Sequence, residues 1–267
     1  MEVVAPSQAH QRNSLCTNQI GWGLFGIGVV ASWLLSWQAI MHFELLNPAL
    51  LSSPSTILVR LYRSLWVTDD LRAHLWMTVT RLLGGFVIGA LPALWFGRRM
   101  GRNTSADLRY GPFFAAIGLI PVLAALPFLI IMFGVREPQK WLMVGAAVFY
   151  PVLYCTKTGM RVSLALQHAR QSSDNLANRQ EWQDSSGPWI FTGLKLGSLI
   201  GLATLLGGEM HTSNKGLGFE ILSAMTNLQF ERAYTATFAV ALVEYALWLS
   251  LTGIEFALRR KTERAIA

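Results

Sequence analysis

The chain has 267 residues, 52% of them apolar and only 14% charged, with a net charge of +7 and a mean hydropathy of +0.38. Soluble domains carry about 25% charged residues, so a large soluble enzyme is excluded and one integral membrane domain is the economical reading. The basic residues sit at the ends of apolar runs, which reads as membrane topology rather than a nucleic-acid footprint, and 10 Trp and 14 Phe suit interfacial belts and lipid-facing packing.

Residues 1–20 are expected to form a polar cytoplasmic tail, and residues 21–260 a transmembrane domain. The first apolar run, Trp22–Met41, is too long for a signal-peptide core and lacks a small-residue cleavage site, so it reads as a retained span. A short interfacial helix is predicted from Ser53 or Ser55 to about Trp66, because Ser before an apolar-periodic run marks a helix start. Further spans of about 20 residues are predicted over His74–Phe96, Gly111–Phe133, Gln139–Thr158, Trp189–Gly208 and Ala233–Leu258. Runs this long are helices, not barrel strands, and Pro92, Pro121, Pro127 and Pro151 are expected to kink them. After the fifth run, Asn214-Lys215-Gly216-Leu217-Gly218 is a turn signal, with a partial helix over Phe219–Leu228. Residues 261–267 form a short tail. The expected fold is therefore all-α, with about six transmembrane helices.

Lys and Arg set the orientation. With the N-terminus inside, the inner segments hold thirteen basic residues and the outer segments seven, which favours N-in and C-in. That places the polar stretch Arg161–Gly187 on the cytoplasmic side, between spans four and five. Asp174 or Asn175 can cap a short helix over Leu176–Trp182, and Trp182 is a large aromatic suited to anchoring an interface. A solvated connector is the plainer alternative.

Several chemistries are missing. Without a Gly-Lys dipeptide there is no P-loop, and no H-E-x-x-H or G-x-S-x-G sequence occurs. Cys16 and Cys155, the only cysteines, show no metal or disulfide spacing and read as packing thiols.

From about Gly23 to Arg260 the chain resembles a permease subunit of bacterial ABC importers of the nitrate/sulfonate/taurine/bicarbonate type. The resemblance rests on Leu51-Ser52-Ser53-Pro54-Ser55, on Thr80-Arg81-Leu82-Leu83-Gly84-Gly85-Phe86, and on Ile120-Pro121-Val122-Leu123-Ala124-Ala125-Leu126-Pro127 with Phe133-Gly134-Val135. Thr192-Gly193-Leu194-Lys195-Leu196, Glu209-Met210 and Gly216-Leu217-Gly218-Phe219 extend it. It implies a type I importer permease fold, a multi-pass chain in the bacterial inner membrane, and no catalytic residues or cofactor of its own. ATP and Mg would be bound by partner ATPase subunits, and a solute-binding protein would deliver a small, anionic solute. A second permease would complete the path.

In that family the loop between spans four and five carries a Glu-Ala-Ala motif and a following Gly, and it docks the ATPase. Gly159-Met160-Arg161 and Pro188 fit the flanks, but the motif is replaced near Gln167-His168-Ala169-Arg170, and no Gly occurs between Gly159 and Gly187. The expected coupling residues are Gln167, His168, Ala169, Arg170, Asp174, Asn175, Leu176, Arg179 and Trp182. The degenerate motif points to a heterodimer with a permease that keeps it.

The path or gate candidates are Pro121, Pro127, Thr192, Lys195, Glu209, Met210 and Glu244. Glu244, in the middle of span six, is an expensive intramembrane charge that lines a cavity or is held by packing. Lys195 and Arg81 read as snorkelling cations. Glu209 either meets a binding protein, shapes a gate, or is an interfacial charge. Gly193, Gly197 and Gly201 form a small-residue stripe for close helix packing. The rival classes are a non-transporting scaffold or regulator that kept the fold, and a secondary transporter, against which the lack of an evident inverted repeat weighs.

Overall fold

The computed structural model describes residues 28–29, 31–43, 51–171 and 181–266, with side chains left undescribed at 169–171, 181–185 and 262–266. The chain divides into two compact units, Met1–Arg60 and Leu61–Ala267. In the first unit, residues 31–42 are helical (α1), and the Ser53 hydroxyl accepts the Thr56 amide at 3.2 Å. Ser53 thereby caps α2, Pro54–Trp66, with proline at the first helical position, where its missing N–H costs nothing. The predicted start and end of this helix both hold.

The second unit contains α3 (Asp70–Arg102), α4 (Thr104–Gly118), a 3₁₀ turn (Val122–Ala125), α5 (Leu126–Phe133), α6 (Glu137–Gln171), α7 (Glu181–Thr212), α8 (Leu217–Thr226) and α9 (Phe230–Ile266). No strand occurs among the described residues. Helix α6 is central, with α3 on one side and α7 on the other. Leu82, Ala90, Ala93 and Met100 of α3, Val144, Val148, Val152 and Leu153 of α6, and Leu202 and Leu205 of α7 form the main core.

Small residues set these contacts. A Cβ on Gly89 would strike the backbone of Gly145, so α3 and α6 meet backbone to backbone. On α7, a Cβ at Gly193 would lie 2.8 Å from Cys155, at Gly197 3.1 Å from Val152, and at Gly201 2.8 Å from Val148. The predicted small-residue stripe therefore packs α7 against α6 of the same chain, and Cys155 is part of that packing.

Three described helices, Asp70–Arg102, Ser186–Thr212 and Phe230–Lys261, are long and apolar enough to cross a bilayer. Their outward faces carry exposed Leu83, Val87, Leu91, Leu196, Leu199, Leu242 and Leu249, a surface suited to hydrocarbon. The predicted third span is not one rod. It breaks between Gly118 and Val122, and the two halves, Thr104–Gly118 and Val122–Phe133, are bent by 76°. Pro121 causes the break: it takes φ −60° and ψ 124° ahead of the 3₁₀ turn, an extended geometry that no α-helix continues through. Pro127 lies in the first turn of α5, where proline fits without kinking anything. Pro92 and Pro151 do lie inside α3 and α6. Of the six expected spans, three and the bent pair meet the requirement among the described residues. Helix α6, 35 residues long, is not among them; it carries buried Gln139, Lys140 and Thr156 beside exposed Trp141 and Leu142.

The polar stretch also differs from its predicted form. Helix α6 continues through Gln171 and α7 begins at Glu181, so most of Arg161–Gly187 extends two long helices and Pro188 lies inside α7. The predicted cap residues Asp174 and Asn175, with Leu176 and Arg179, lie outside the described residues.

Candidate functional site

One end of the second unit holds a buried ionic network built from three long helices and one turn. Thr78 and Arg81 lie one helical turn apart on α3, so they share a face. Glu209 comes from the last turn of α7 and is fully buried. The Thr78 hydroxyl donates to its two oxygens at 3.0 and 2.9 Å, Arg81 Nη1 at 3.0 Å, and the Gly218 amide at 3.0 Å. Arg81 reaches further: Nε and Nη2 fork onto Glu137 at 2.7 and 2.6 Å, and Nη1 donates to the Lys215 carbonyl at 2.6 Å. The Leu217 amide donates back to Thr78 at 2.8 Å. The planar guanidinium, with donors in a fixed fork, suits this task. Glu137 stands ahead of the apolar run Gln139–Thr158, and its hydrogen bond to Arg81 holds its carboxyl below the usual carboxylate range against the opposing effect of burial.

The turn is shaped to the carboxylate. Gly216 takes φ +135°, and a Cβ there would collide with the Glu209 carboxylate. A Cβ at Gly218 would meet the Leu206 carbonyl at 2.5 Å. Gly216-Leu217-Gly218 thus lies directly over Glu209, and Leu217 seals the site as a fully buried side chain. Beside it, His74 Nδ1 accepts the Gly216 amide at 3.2 Å and the ring stacks on Phe219. Arg232 Nη2 of α9 pairs with Glu220 at 2.8 Å. Four segments distant in sequence are locked at this end. Arg81 is only 3% exposed, so it does not snorkel as expected, and a fully buried Glu209 is in no position to touch a binding protein.

A second feature is a groove of about 750 Å³ between α7 and α9, which brings together Thr192, Lys195 and Glu244. Glu244 accepts the Ser198 hydroxyl at 2.7 Å, and its other oxygen has no partner. Lys195 pairs with Glu255 at 3.0 Å and lies 5.1 Å from the Trp248 ring centroid. Thr192 turns its hydroxyl back to the Pro188 carbonyl at 2.8 Å. Of the remaining candidates, Met210 follows Glu209 on α7 and is half-buried. Pro121 is exposed at the break before α5, and Pro127 is exposed in the first turn of α5.

At the opposite end Asp107 of α4 pairs with Lys157 and Arg161 of α6, and Glu255 also takes Arg259 at 2.6 Å. Gln167, His168, Ala169 and Arg170 stand on the last turns of α6, and Trp182 on the first turn of α7. Thr78, Glu137, Asp107, Ser198 and Glu255 are site-forming residues that sequence reasoning missed. Only Glu255 carries a local sign, the i,i+4 spacing to Arg259; the others pair across helices.

A set of long helices, α3 and α6 parallel and α7 running against both, tied by ionic clusters at each end, defines a multi-pass helical membrane protein. No protein-family model matches the chain. It is similar to the taurine transport system permease protein of Escherichia coli, 26% identical over 238 residues, 86% of each chain. It is also 26% identical over 227 residues to the putative aliphatic sulfonates transport permease protein of Bacillus subtilis, covering 84% of this chain and 82% of that one. The nitrate import permease protein of Leptolyngbya laminosa is 23% identical over 192 residues, 68% of this chain and 67% of its own. Over most of its length the chain is thus similar to transport permeases named for taurine, aliphatic sulfonates and nitrate.

Proposed function

We propose that this chain is the permease subunit of an ATP-driven importer in the bacterial inner membrane, oriented N-in and C-in, and that it forms part of the path for a small anionic solute. The observation that carries this reading is the similarity to transport permeases over most of the chain, on both sides of the polar stretch. A solute-binding protein delivers the cargo, and two ATPase subunits bind ATP and Mg at the face carrying Gln167–Arg170 and Trp182. A second permease, different in sequence and with an intact Glu-Ala-Ala motif, completes the path. The relatives are named for transport, which gives the scaffold alternative no support.

The two features of the site divide the work. The Arg81–Glu209 network braces the outer ends of α3, α6 and α7 so that they move as one body. The α7–α9 groove offers Thr192, Lys195 and Glu244 to the path. ATPase closure then shifts the equilibrium between two bundle arrangements. The test is uptake into proteoliposomes containing the purified complex. Uptake of taurine, an alkanesulfonate or nitrate that requires ATP and the binding protein supports the reading. Uptake driven by an ion gradient without ATP, or no uptake of any of these, overturns it.

A further inference from the structure

In the turn that joins α7 to α8, the peptide between Lys215 and Gly216 is clamped from both sides. Its carbonyl accepts Arg81 Nη1 at 2.6 Å, and its N–H donates to His74 Nδ1 at 3.2 Å. The same ring nitrogen lies 3.0 Å from the Gly216 carbonyl. That carbonyl belongs to the next peptide, whose Leu217 N–H donates to Thr78 at 2.8 Å. It already accepts the Glu220 amide at 3.0 Å and keeps a second lone pair. Nδ1 can serve only one of its two neighbours at a time. With a lone pair it accepts the Gly216 N–H; with a proton it donates to the Gly216 carbonyl.

The charges around the ring select the neutral form. From α8, Glu220 Oε2 lies 4.0 Å from Nε2, so the neutral ring keeps its proton on Nε2 and leaves Nδ1 free to accept. From α9, Arg232 binds the other oxygen of Glu220 at 2.8 Å, with Glu231 beside it in the first turn. From α7, Glu209 lies against Gly216 and is paired with Arg81. Lys215 is exposed, Asp70 stands one turn before the ring on α3, and α2 brings the apolar Leu61 and Leu65 to this end. The His74 side chain is 18% exposed, so solvent protons reach it, and imidazole is the side chain that changes charge between about pH 5 and 8. We propose that His74 is a proton-operated latch on this turn. Neutral, it holds the Lys215–Gly216 peptide in place against Arg81. On taking a proton from solvent at Nδ1, it releases the Gly216 N–H, donates to the Gly216 carbonyl, and turns a positive charge toward Glu220. The Gly216 N–H is then left without its acceptor. Because Gly216 packs on the Glu209 carboxylate, the latch makes the grip of the turn on the buried Arg81–Glu209 pair respond to pH at this end of the bundle.

The test is hydrogen–deuterium exchange of the full chain in nanodiscs, read at single amides by electron-transfer fragmentation across the imidazole range and below it. Each rate is divided by its intrinsic rate at that pH. In wild type, Gly216 protection is expected to fall about three- to tenfold, through loss of one neutral hydrogen bond, as pH drops through the imidazole range. The Leu217 amide, held by Thr78, is expected to keep its protection. His74→Gln and His74→Asn carry no titrating group, and each is expected to abolish the pH-dependent step; the second variant serves if the first does not fold. Constant Gly216 protection in wild type overturns the latch. So does an equal step in either variant, or a step centred below about pH 5, which belongs to a carboxylate. Equal loss at Leu217 means that the whole turn opens, and overturns the exchange of one hydrogen bond for another.

Discussion

Replacing Arg81 by Ala leaves Glu209, fully buried, with Thr78 and the Gly218 amide as donors but no cation hydrogen-bonded to it. Breaking a buried pair by removing one partner costs about 3–5 kcal/mol. At about 2–4 °C per kcal/mol for a chain of this size, R81A should lower the thermal midpoint in detergent by on the order of 10 °C. Glu209→Gln is the milder change. It keeps an acceptor for Thr78 or Gly218, and Arg81 retains Glu137 and the Lys215 carbonyl. The double variant gives the decisive sign. Adding E209Q to R81A removes the stranded carboxylate, so the double variant should be more stable than R81A alone, with a coupling of roughly 1–3 kcal/mol. Thermal unfolding followed by tryptophan fluorescence and by loss of monodisperse protein reads all three. A double variant less stable than R81A, or an R81A midpoint within a degree or two of wild type, would refute the buried-pair argument.

Four further outcomes follow from the same structure. Gly216→Ala puts a side chain at φ +135° and into the Glu209 carboxylate, so it should lower the midpoint by several degrees through strain of about 1–3 kcal/mol plus the clash. Gly89→Leu drives a side chain into the Gly145 backbone and should abolish folded protein on size exclusion. Gly253→Ala, whose Cβ meets nothing within 4 Å, should be neutral or stabilising by up to about 1 kcal/mol. Glu137 has a carboxyl held below its unfolded value of about 4.3 by Arg81. Its contribution is complete above that value and is lost as pH falls through the lower, folded value. Acidifying from pH 5 to 3 should therefore lower the midpoint more in wild type than in Glu137→Gln, and equal drops would argue against that pairing.

What the sequence made legible was one-dimensional. Apolar length located the long helices, Ser53 located the start of α2, and the Gly216-Leu217-Gly218 turn with a helix after it stands as α8. The resemblance picked out Arg81, Glu209 and Gly216-Leu217-Gly218 as separate patches, and the structure joins them: the arginine pairs with the glutamate and the glycines wrap its carboxylate. That convergence was not readable because the contacts α3 makes with Glu209 link positions more than 120 apart, such as Thr78 with Glu209. Arg81 read as a snorkelling cation for the same reason, since burial by α6 and α7 leaves no trace in the local sequence. The polar stretch misled in the opposite way. Low apolarity marks exit from a membrane, not the end of a helix, and residues 161–171 remain α-helical.

The central claim, an importer permease that works through partner chains, is tested most directly by purifying this protein from its native membrane under mild conditions and identifying what comes with it. The account predicts an ATPase subunit bearing a P-loop and a second permease of different sequence with an intact Glu-Ala-Ala motif, both in stable stoichiometry. Recovery of this chain without any ATPase would contradict it.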